Sequence, residues 1–580
     1  MKIIEDKYIT EYNHWLDSPA LSEAEWAELY AIKDDDAEKR ARFYAPLEFG
    51  TAGLRGTMKT GLHNMNIHVI RHATQAFAEV IAAEGQDAMQ NGIVIDYDCR
   101  HNSADFAKEA ACVMAANGIH VRIFDALRPT PELSFAVRYY GTTAGLNITA
   151  SHNPKEYNGY KVYWSDGAQL PPQQADAIAG HMAEHDIFTD VKTMDFDSAV
   201  SSGMIEYIGS EADEEFLKRA LSQAINKKAV LDTADSLGIV YTPYHGCGYK
   251  LVPEALNRLG VRRLYTVPEQ MIIDGDFPTV KSPNPENPEG FRLAVDLAKE
   301  TGSSLIIGTD PDSDRICVLA PNKAGEYMAI SGNQLGVLFL DYIIKTRKAS
   351  GLLPENAGSV TSVVTTLMAR AICEANNVHF EETFTGFKYL AGKASEWDAS
   401  GEYSCIMAWE ESCGYMVGDY VRDKDGVTMS VLAAEMAAYY CLQGMTLVDA
   451  LDALYKEYGF FAEKTVNLVM PGLDGLDKMR AIMADLRKNH PDRIAGTEVA
   501  RIRDYSDGVI YVNGLGMVGK TNVSGSNVLY FEMADDCAIA IRPSGTEPKI
   551  KIYLLVSGAS PEACEERIQA YSGFCDMLVK

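Results

Sequence analysis

The chain lacks several features that would assign it to a particular class of protein. No run of 18 uncharged apolar residues occurs in its 580 residues, so we expect no membrane-spanning helix. The segment Met1–Lys7 has no apolar core and includes two acids, which predicts that there is no signal peptide. No basic run offsets the formal net charge of −28, which argues against nucleic acid or an anionic membrane as a partner.

Paired cysteine motifs are also missing. The eleven cysteines form no Cys-x-x-Cys pair, and their number is odd. This pattern favours reduced, mostly buried thiols over a disulfide framework or a zinc site. We therefore predict a cytoplasmic protein. With 47% hydrophobic and 23% charged residues the composition is typical of folded chains, and the length exceeds what one core supports.

What is present is an alternation of strand and helix patterns. An acidic helical extension is predicted over residues 1–44, and the glycine-rich segment Phe49–Gly56 ends it. A βαβ rhythm, typical of sheets covered by helices, then recurs at residues 92–124, 237–259 and 359–375. After about residue 455 the mixture of strands and helices predicts a separate α+β domain.

Four apolar strands each run directly into an unusually polar loop. These strands span residues 146–150, 304–308, 405–409 and 537–541. Because α/β proteins bind ligands at the carboxyl ends of strands, we expect the loops to share one cleft. Cations that could focus an anionic ligand in this acidic chain lie in or beside loops rich in Gly, Pro and Ser: Arg55, Arg128, Lys161, Arg315, Lys388, Arg542 and Lys549.

Ser151 is the most informative residue of these loops. It follows the first strand in a polar turn that Pro154 closes. His152 is adjacent as a possible base, and Lys161 supplies a cation ten residues later. A serine in such a turn often bonds only its own backbone, so a nucleophilic role depends on the chemistry of the other loops.

The second loop carries three aspartates that alternate around Pro311: Asp310, Asp312 and Asp314. Packed carboxylates repel one another unless a counter-ion is bound. All-oxygen ligation suits Mg²⁺, so we predict one Mg²⁺ site rather than a solvated acidic turn. An EF-hand is excluded because its sixth residue must be Gly and its twelfth Glu, and Arg315 and Pro321 stand at those positions.

The last loop combines groups that suit a phosphate. Arg542 offers a guanidinium fork, Ser544 and Thr546 offer hydroxyls, and Gly545 frees the backbone N–H groups. By pattern the segment is a hairpin turn, and these groups favour a phosphate-binding role in addition.

The third loop, Glu410-Glu411-Ser412, supplies acceptors and a hydroxyl that suit the hydroxyl groups of a sugar. Adjacent glutamates are common on protein surfaces, so this loop is weak as an isolated signal. The segment 421–427 has the pattern of a turn closed by Gly426, and a role in closing the site is secondary.

In their order and spacing these motifs resemble the α-D-phosphohexomutase family over nearly the whole chain. The matching segments are 49–56, 149–161, 310–315, 410–412 and 542–547. The length and the segments 241–246, 282–288 and 423–427 are most similar to the long bacterial phosphoglucomutases, whose branch includes phosphopentomutase-like relatives. Trp409 departs from the glycine that many members have before the glutamate, which leaves the sugar preference open.

The resemblance implies an α/β fold with a heart-shaped arrangement of four domains around a central cleft. The first three domains would be α/β with mixed sheets and the fourth α+β. We predict domains at residues 1–208 with the phosphoserine loop, 209–322 with the metal-binding loop, 323–455 with the sugar-binding loop and 456–580 with the phosphate-binding loop. The assembly would be a monomer or a homodimer.

The resemblance also implies a mechanism on a small phosphosugar. Ser151 would carry a phosphoryl group and bind one Mg²⁺ together with Asp310, Asp312 and Asp314. Glucose 1-phosphate and glucose 6-phosphate would interconvert through glucose 1,6-bisphosphate, which also serves as activator. Arg315 would stabilise the moving group, and the acid and base are left open among His152, Lys161 and Arg55. The implied substrate-binding residues are Lys388, Glu410, Ser412, Arg542, Ser544, Gly545 and Thr546.

Other functions remain as alternatives. A phosphomannomutase or phosphopentomutase would use the same scaffold. A haloacid-dehalogenase-like phosphatase would use an Asp-x-Asp-x-Thr/Val loop, but the fifth position here is Asp314, and that mechanism uses neither Ser151 nor Arg542. A non-catalytic phosphosugar sensor would be expected to have lost Ser151 or an aspartate, and the chain retains them.

Overall fold

The structure is a computed structural model that describes residues 7–49, 53–470, 475–544 and 549–578. The chain divides into two compact units. Unit 1 comprises Met1–Ile330 and Gly414–Gly444, and unit 2 comprises Ser331–Cys413 and Met445–Lys580. Within the described ranges, no helix combines the length and apolar character that a membrane span requires.

The first sheet of unit 1 is mixed, with the strand order β1-β5-β4-β2-β3-β6. Its strands are β1 (Leu54–Thr57), β2 (Ile93–Tyr97), β3 (Val121–Phe124), β4 (Ala144–Ile148), β5 (Tyr157–Trp164) and β6 (Ile205–Ile208). β2 pairs in parallel with β3 and β4, and β3 with β6. β5 runs antiparallel to β1 and β4.

Helices precede, connect and cover this sheet. They are α1 (Lys7–Leu16), α2 (Glu23–Ala31), α3 (Asp36–Phe43), α4 (Ile67–Ala83), α5 (Gln86–Asn91), α6 (Ser103–Ala116), α7 (Thr130–Tyr140), α8 (Pro172–Glu184) and α9 (Phe196–Ser201). The first three lie in the predicted helical extension. Trp15 of α1 is fully buried and packs edge-on against Phe43, which joins the extension to the core of the sheet.

The second sheet of unit 1 is also mixed, with the order β11-β10-β9-β7-β8. Its strands are β7 (Gly238–Thr242), β8 (Arg263–Thr266), β9 (Leu305–Thr309), β10 (Ile316–Pro321) and β11 (Tyr327–Ile330). The helices are α10 (Ser210–Ser222), α11 (Lys227–Asp232), α12 (Gly248–Leu259) and α13 (Arg292–Thr301), with 3₁₀ turns at Pro268–Met271 and Pro288–Phe291. β10 is antiparallel to β9 and β11.

Unit 2 begins with a parallel arrangement in which β12 (Ala357–Ser362) pairs with β13 (His379–Thr383) and β14 (Ser404–Glu410). Its helices here are α14 (Gly332–Ala349), α15 (Met368–Ala375) and α16 (Phe387–Ser400). The following segment belongs to unit 1 and contains β15 (Gly414–Met416) and α17 (Gly426–Cys441). α17 packs on α12, and nearly every residue of α17 is buried.

After α18 (Leu447–Tyr458), unit 2 ends in an antiparallel sheet. Its strands are β16 (Phe460–Val469), β17 (Arg493–Ile494), β18 (Thr497–Asp504), β19 (Val509–Val512), β20 (Gly516–Lys520), β21 (Leu529–Met533), β22 (Ala538–Pro543) and β23 (Lys549–Gly558). α19 (Gly475–Lys488) and α20 (Pro561–Met577) share its main apolar core. The predicted mixture of strands and helices after about residue 455 is confirmed.

Two of the strands that precede polar loops lie inside their sheets. β4 lies between β5 and β2, and β9 lies between β10 and β7. Every residue of both strands is buried, as expected for strands covered on both faces. The loops that follow β4 and β9 therefore each begin at an interior strand of a sheet of unit 1.

Candidate active site

Ser151 sits in a strained turn just after β4. Its φ angle of 51° is left-handed, a conformation that is uncommon for residues with a Cβ and that often occurs at functional turns. The Ser151 N–H donates to Thr149 Oγ1 over 2.9 Å, and the residue is only 4% exposed. The hydroxyl donates to Asp310 Oδ2 over 2.9 Å. The predicted Ser151 and aspartate loops therefore meet within unit 1.

Arg100, which the sequence-based prediction did not include, holds the Ser151 turn. Its guanidinium donates to four carbonyl oxygens at distances of 2.6–3.1 Å, those of Ser151, Asn153, Pro154 and Tyr157. Asp98 lies 3.1 Å from Arg100 Nε. A signal was available, because Asp98 and Arg100 form a further polar loop directly after the apolar strand β2.

Replacing Arg100 with lysine should lower kcat by about 10²-fold, the cost of misplacing a reacting group by about 1 Å. Lysine keeps the charge beside Asp98 but loses the planar fork that serves four carbonyl oxygens. Steady-state kinetics will measure the loss. Arg122→Lys, which alters an arginine paired with Glu206, is the matched control and should stay near wild type. A wild-type kcat for Arg100→Lys would contradict the positioning role.

The loop after β9 gathers three buried carboxylates whose ligand oxygens lie within 4.8 Å of one another: Asp310, Asp312 and Asp314. Asp312 Oδ2 accepts hydrogen bonds from Lys161 Nζ over 2.7 Å and from Thr130 Oγ1 over 2.9 Å. Burial, together with the other two carboxylates, raises the pKa of Asp310. Burial also opposes the charge of Asp312, but Lys161 holds the pKa of that carboxyl below its usual range.

The donor set of this cluster fits a hard divalent cation. Asp312 Oδ1 and Asp314 Oδ1 are buried and have no hydrogen-bond partner among the described residues. Carboxylate and hydroxyl oxygens are the ligands that Mg²⁺ prefers. A cation bound to them would also offset the mutual repulsion of the carboxylates. The residues that could hold it are Ser151, Asp310, Asp312 and Asp314.

His152 and Arg55 flank the serine turn differently. His152 Nδ1 lies 3.1 Å from Ser151 Oγ. Burial, followed by the neighbouring cations Arg315 and Arg55, lowers the pKa of His152 to about 2. Arg55 is exposed and donates to Asn153 Oδ1 over 2.9 Å. His152 therefore hydrogen-bonds to the Ser151 hydroxyl. It is one of the three predicted acid–base candidates, with Lys161 and Arg55.

Arg315 and the segment 421–427 complete the cluster in unit 1. The Arg315 N–H donates to Asp310 Oδ1 over 3.0 Å. Lys424 Nζ lies 3.1 Å from Asp314 Oδ2 and 3.0 Å from Asp423 Oδ1. Sequence reasoning gave this segment only a secondary role, although the structure pairs its lysine with a predicted metal ligand.

Glu410 and Lys388, both in unit 2, lie near the start of α16. Glu410 Oε1 accepts from the Gly386 N–H over 2.7 Å. Lys388 Nζ is buried and has no hydrogen-bond partner within the part of the chain that the structure describes, and burial lowers the pKa of this ammonium group. A desolvated cation of this kind favours an anionic ligand.

Arg542 lies within β22 rather than in the loop that we predicted, because the pairing of β22 with β23 continues through Pro543 and Ile550. The Ser544 N–H donates to the Lys549 carbonyl over 2.8 Å and closes the hairpin. Arg542 hydrogen-bonds to Tyr553. Burial, followed by the negative charge of Glu411, raises the pKa of Tyr553 to about 12. The predicted residues Gly545 and Thr546 lie outside the described residues, as do Gly50–Ala52 of the glycine-rich segment.

Trp409 does not line the loop that follows it. Its side chain is fully buried, and a Cβ on Gly336 of α14 would come within 2.1 Å of the indole ring. The tryptophan therefore packs against α14, and Ser412 in the loop that follows it is partly exposed.

Comparison with known proteins identifies relatives over most of the chain. Residues 46–187, 214–323 and 331–458 match the alpha/beta/alpha domains I, II and III described as phosphoglucomutase/phosphomannomutase. The phosphoglucomutase of Staphylococcus aureus (strain N315) is 35% identical over 539 residues, which cover 93% of this chain and 94% of that protein.

Solved structures share the fold. The pp63/parafusin (phosphoglucomutase) of Paramecium superposes with a TM-score of 0.69 at 18% identity and covers 92% of this chain and 96% of its own. A phosphoglucomutase/phosphomannomutase family protein from Burkholderia thailandensis gives a TM-score of 0.64 at 18% identity, with 92% and 97% covered. From the three matched domains and the identity that extends over nearly the full length, this chain belongs to the phosphoglucomutase/phosphomannomutase family.

Proposed function

We propose that this chain is a phosphoglucomutase, an isomerase that interconverts glucose 1-phosphate and glucose 6-phosphate. The observation that carries the proposal is the hydrogen bond of 2.9 Å from the Ser151 hydroxyl to Asp310 Oδ2, in a cluster of three buried carboxylates. The 35% identity to a bacterial phosphoglucomutase supports glucose as the sugar. Mannose and pentose phosphates are the alternatives.

Ser151 carries the phosphoryl group in this mechanism. The bond between phosphorus and Ser151 Oγ breaks as a bond forms from phosphorus to the free hydroxyl of the sugar, which gives glucose 1,6-bisphosphate. The bisphosphate turns over, and its other phosphoryl group returns to Ser151. The sugar hydroxyl gives up its proton as the first bond forms, and the Ser151 hydroxyl gives up its proton in the return step. The predicted proton acceptors are His152, Lys161 and Arg55, and His152 Nδ1 lies 3.1 Å from Ser151 Oγ.

One Mg²⁺ would be held by Ser151 and the three aspartates. When bound, it would offset the carboxylates and a phosphoserine of about −1.5 to −2 charges and stabilise the phosphoryl group in transfer. Lys161 orients Asp312 over 2.7 Å and Lys424 lies 3.1 Å from Asp314. The Arg315 backbone fixes Asp310 over 3.0 Å, and its guanidinium would contact the moving phosphoryl group.

The remaining predicted residues would bind the rest of the substrate. Arg542, Ser544, Gly545 and Thr546 would hold the phosphate that is not transferred, and Lys388 would add a second cation. Glu410 and Ser412 would accept and donate hydrogen bonds to sugar hydroxyls. The four domain ranges given above, their common cleft, the cytoplasmic location and the choice between monomer and homodimer all remain predictions.

The test of the function is a comparison of kcat/KM on glucose, mannose, glucosamine and ribose 1-phosphates, each with glucose 1,6-bisphosphate present. We expect glucose 1-phosphate to give the highest value. A higher value for mannose or ribose would replace the sugar assignment and leave the mutase chemistry intact. Release of inorganic phosphate without isomerisation would favour a phosphatase instead.

Arg542→Ala should cost about 2–4 kcal/mol of transition-state stabilisation, the range expected when a charged partner is removed from a desolvated anion. This corresponds to a loss of about 30- to 900-fold in kcat/KM, because binding energy at the unreactive end positions the reactive end. Phosphorylation of Ser151 by the bisphosphate should persist more slowly.

The matched control is Arg501→Ala, which removes an exposed arginine paired with Glu532 in the same C-terminal sheet. Its kcat/KM should stay near that of the wild type. If Arg542→Ala also stayed within about twofold of wild type, a loss below about 0.5 kcal/mol, this hairpin would have only a structural role.

A further inference from the structure

We propose that Glu79, His181 and His185 form a second metal site, one that takes a nitrogen-preferring transition metal ion such as Zn²⁺. The side chains come from α4 and from the C-terminal end of α8, two helices of unit 1 that pack on each other. Their ligand atoms lie within 4.8 Å of one another. The set contains none of the residues assigned to phosphoryl transfer.

The geometry of the three ligands is already close to that of a bound ion. A single carboxylate oxygen, Glu79 Oε2, lies 2.8 Å from His185 Nε2 and 3.2 Å from His181 Nδ1. Ligands about 2.0–2.1 Å from a tetrahedral Zn²⁺ are themselves about 3.3 Å apart. A cation could therefore replace the protons of the two histidine–Glu79 contacts with only small shifts of these side chains.

The histidine spacing explains why both rings face the same carboxylate. His181 lies in the last turn of α8 and His185 caps it, four residues later. Residues separated by four lie one above the other on a helix face, and the two rings are parallel to within 10°. Glu79 projects toward them from α4. Two imidazole nitrogens and one carboxylate oxygen favour Zn²⁺, Cu²⁺ or Ni²⁺ over Mg²⁺.

A supporting layer of hydrogen bonds orients these ligands, as is typical of metal sites. Gln75 Nε2 donates to the other carboxylate oxygen, Glu79 Oε1, over 2.9 Å. Gln75 Oε1 in turn accepts from Asn117 Nδ2 over 2.8 Å and from the Lys192 N–H over 3.1 Å. His72 Nε2 donates to the His185 carbonyl over 3.2 Å, which fixes the end of α8.

The site is accessible from solvent. The side chains of Glu79, His181 and His185 are 30%, 37% and 24% exposed, so water can complete the coordination shell. An ion bound there would cross-link α4 and α8, and because this arrangement of ligands exists only in the folded chain, it would raise the melting temperature.

The experiment is a Zn²⁺ titration of the full chain with Mg²⁺ in excess, so that the all-oxygen aspartate site is occupied. We expect one Zn²⁺ to bind per chain, with an affinity at least about tenfold lower in His181→Ala and in Glu79→Gln. Even changes in the outer shell of a metal site lower the metal affinity by about 10–100-fold. His120→Ala, a histidine outside the cluster, is the matched control and should bind as the wild type does. Cysteines could also bind Zn²⁺, but the wild type contains the same cysteines as each variant. The difference in Zn²⁺ affinity between them therefore reports on this site alone.

Co²⁺ provides a second readout that a simple ion pair would not produce. Its visible absorption reports nitrogen ligation, and we expect this signal in the wild type and in His120→Ala but not in His181→Ala. Zn²⁺ should raise the melting temperature of the same two proteins only. Equal Zn²⁺ affinity and stoichiometry in wild type and His181→Ala would overturn the proposal and leave Glu79 as the partner of two histidines.

Discussion

Ser151→Ala is expected to abolish mutase turnover, with kcat reduced at least about 10⁴-fold, as when the nucleophile of a covalent mechanism is removed. Alanine has no oxygen to carry the phosphoryl group, and no other hydroxyl donates to Asp310 Oδ2 among the described side-chain contacts. The fold should persist, because the change removes only the two hydrogen bonds of the serine hydroxyl, each worth about 0.5–1.5 kcal/mol. Kinetics and thermal unfolding of the same preparation will separate the two effects.

The covalent intermediate gives an independent measurement. Wild-type protein incubated with glucose 1,6-bisphosphate should gain one phosphoryl group on the peptide that contains Ser151, and Ser151→Ala should gain none. Ser430→Ala is the matched control, since this buried serine of α17 donates only to the Gly426 carbonyl of its own helix. A label on an aspartate would replace the phosphoserine mechanism with that of a dehalogenase-like phosphatase.

The main parts of the candidate site could be predicted because their chemistry is local in sequence. The three aspartates occupy alternate positions of one loop, and Ser151 occupies one turn, so each motif is visible without knowing the fold. The positions of both loops after apolar strands favour a shared cleft, but β4 and β9 lie in different sheets, so the sequence does not establish that the loops meet. The 2.9 Å contact between Ser151 and Asp310 joins residues 159 apart, and only the folded chain shows it.

The contacts of Arg100 and Lys424 could not be predicted in the same way, because they depend on distant partners, although the polar loop that contains Arg100 is visible in the sequence. Arg100 contacts carbonyl oxygens 51–57 residues away, and backbone oxygens leave no mark in a sequence pattern. Lys424 reaches Asp314 because residues 414–444 pack with unit 1, although the residues on both sides belong to unit 2. α17 is buried on nearly every face, as expected of a predominantly apolar helix, but that pattern does not say which sheet it will cover.

Trp409 shows how a departure from a family pattern can be absorbed by packing. As a sequence difference beside the sugar loop, it leaves the sugar preference open. In the structure the indole ring occupies the space that Gly336 leaves on α14. This glycine is 73 positions away in the chain, so the packing of the tryptophan becomes visible only in three dimensions.

Asp312→Asn should reduce kcat/KM at least about 10²–10³-fold, the loss typical of removing one preorganised electrostatic group. Asparagine has the same shape, so the effect arises from charge. Asp312 Oδ1 is one of the two buried carboxylate oxygens of the cluster without a partner among the described residues, and an amide there donates rather than ligates. The amide oxygen at the other position would still accept from Lys161, but the ion pair of Lys161 with residue 312 would be lost, which leaves the longer ion pair with Asp314 at 3.5 Å.

Excess Mg²⁺ should restore only part of the Asp312→Asn activity, since the affinity of an all-oxygen site depends on its charge count. The measurement is the Mg²⁺ concentration for half activation, which should rise in the variant. Asp96→Asn is the matched control, because burial already raises the pKa of that carboxyl well above its usual range and asparagine resembles its neutral form. Full activity of the wild type after exhaustive chelation, or an unchanged Mg²⁺ requirement in Asp312→Asn, would show that this cluster does not bind the catalytic cation. The first outcome would leave Lys161 and Lys424 as the groups that offset the buried carboxylates, and phosphoryl transfer would then have to depend on the cations of the chain itself.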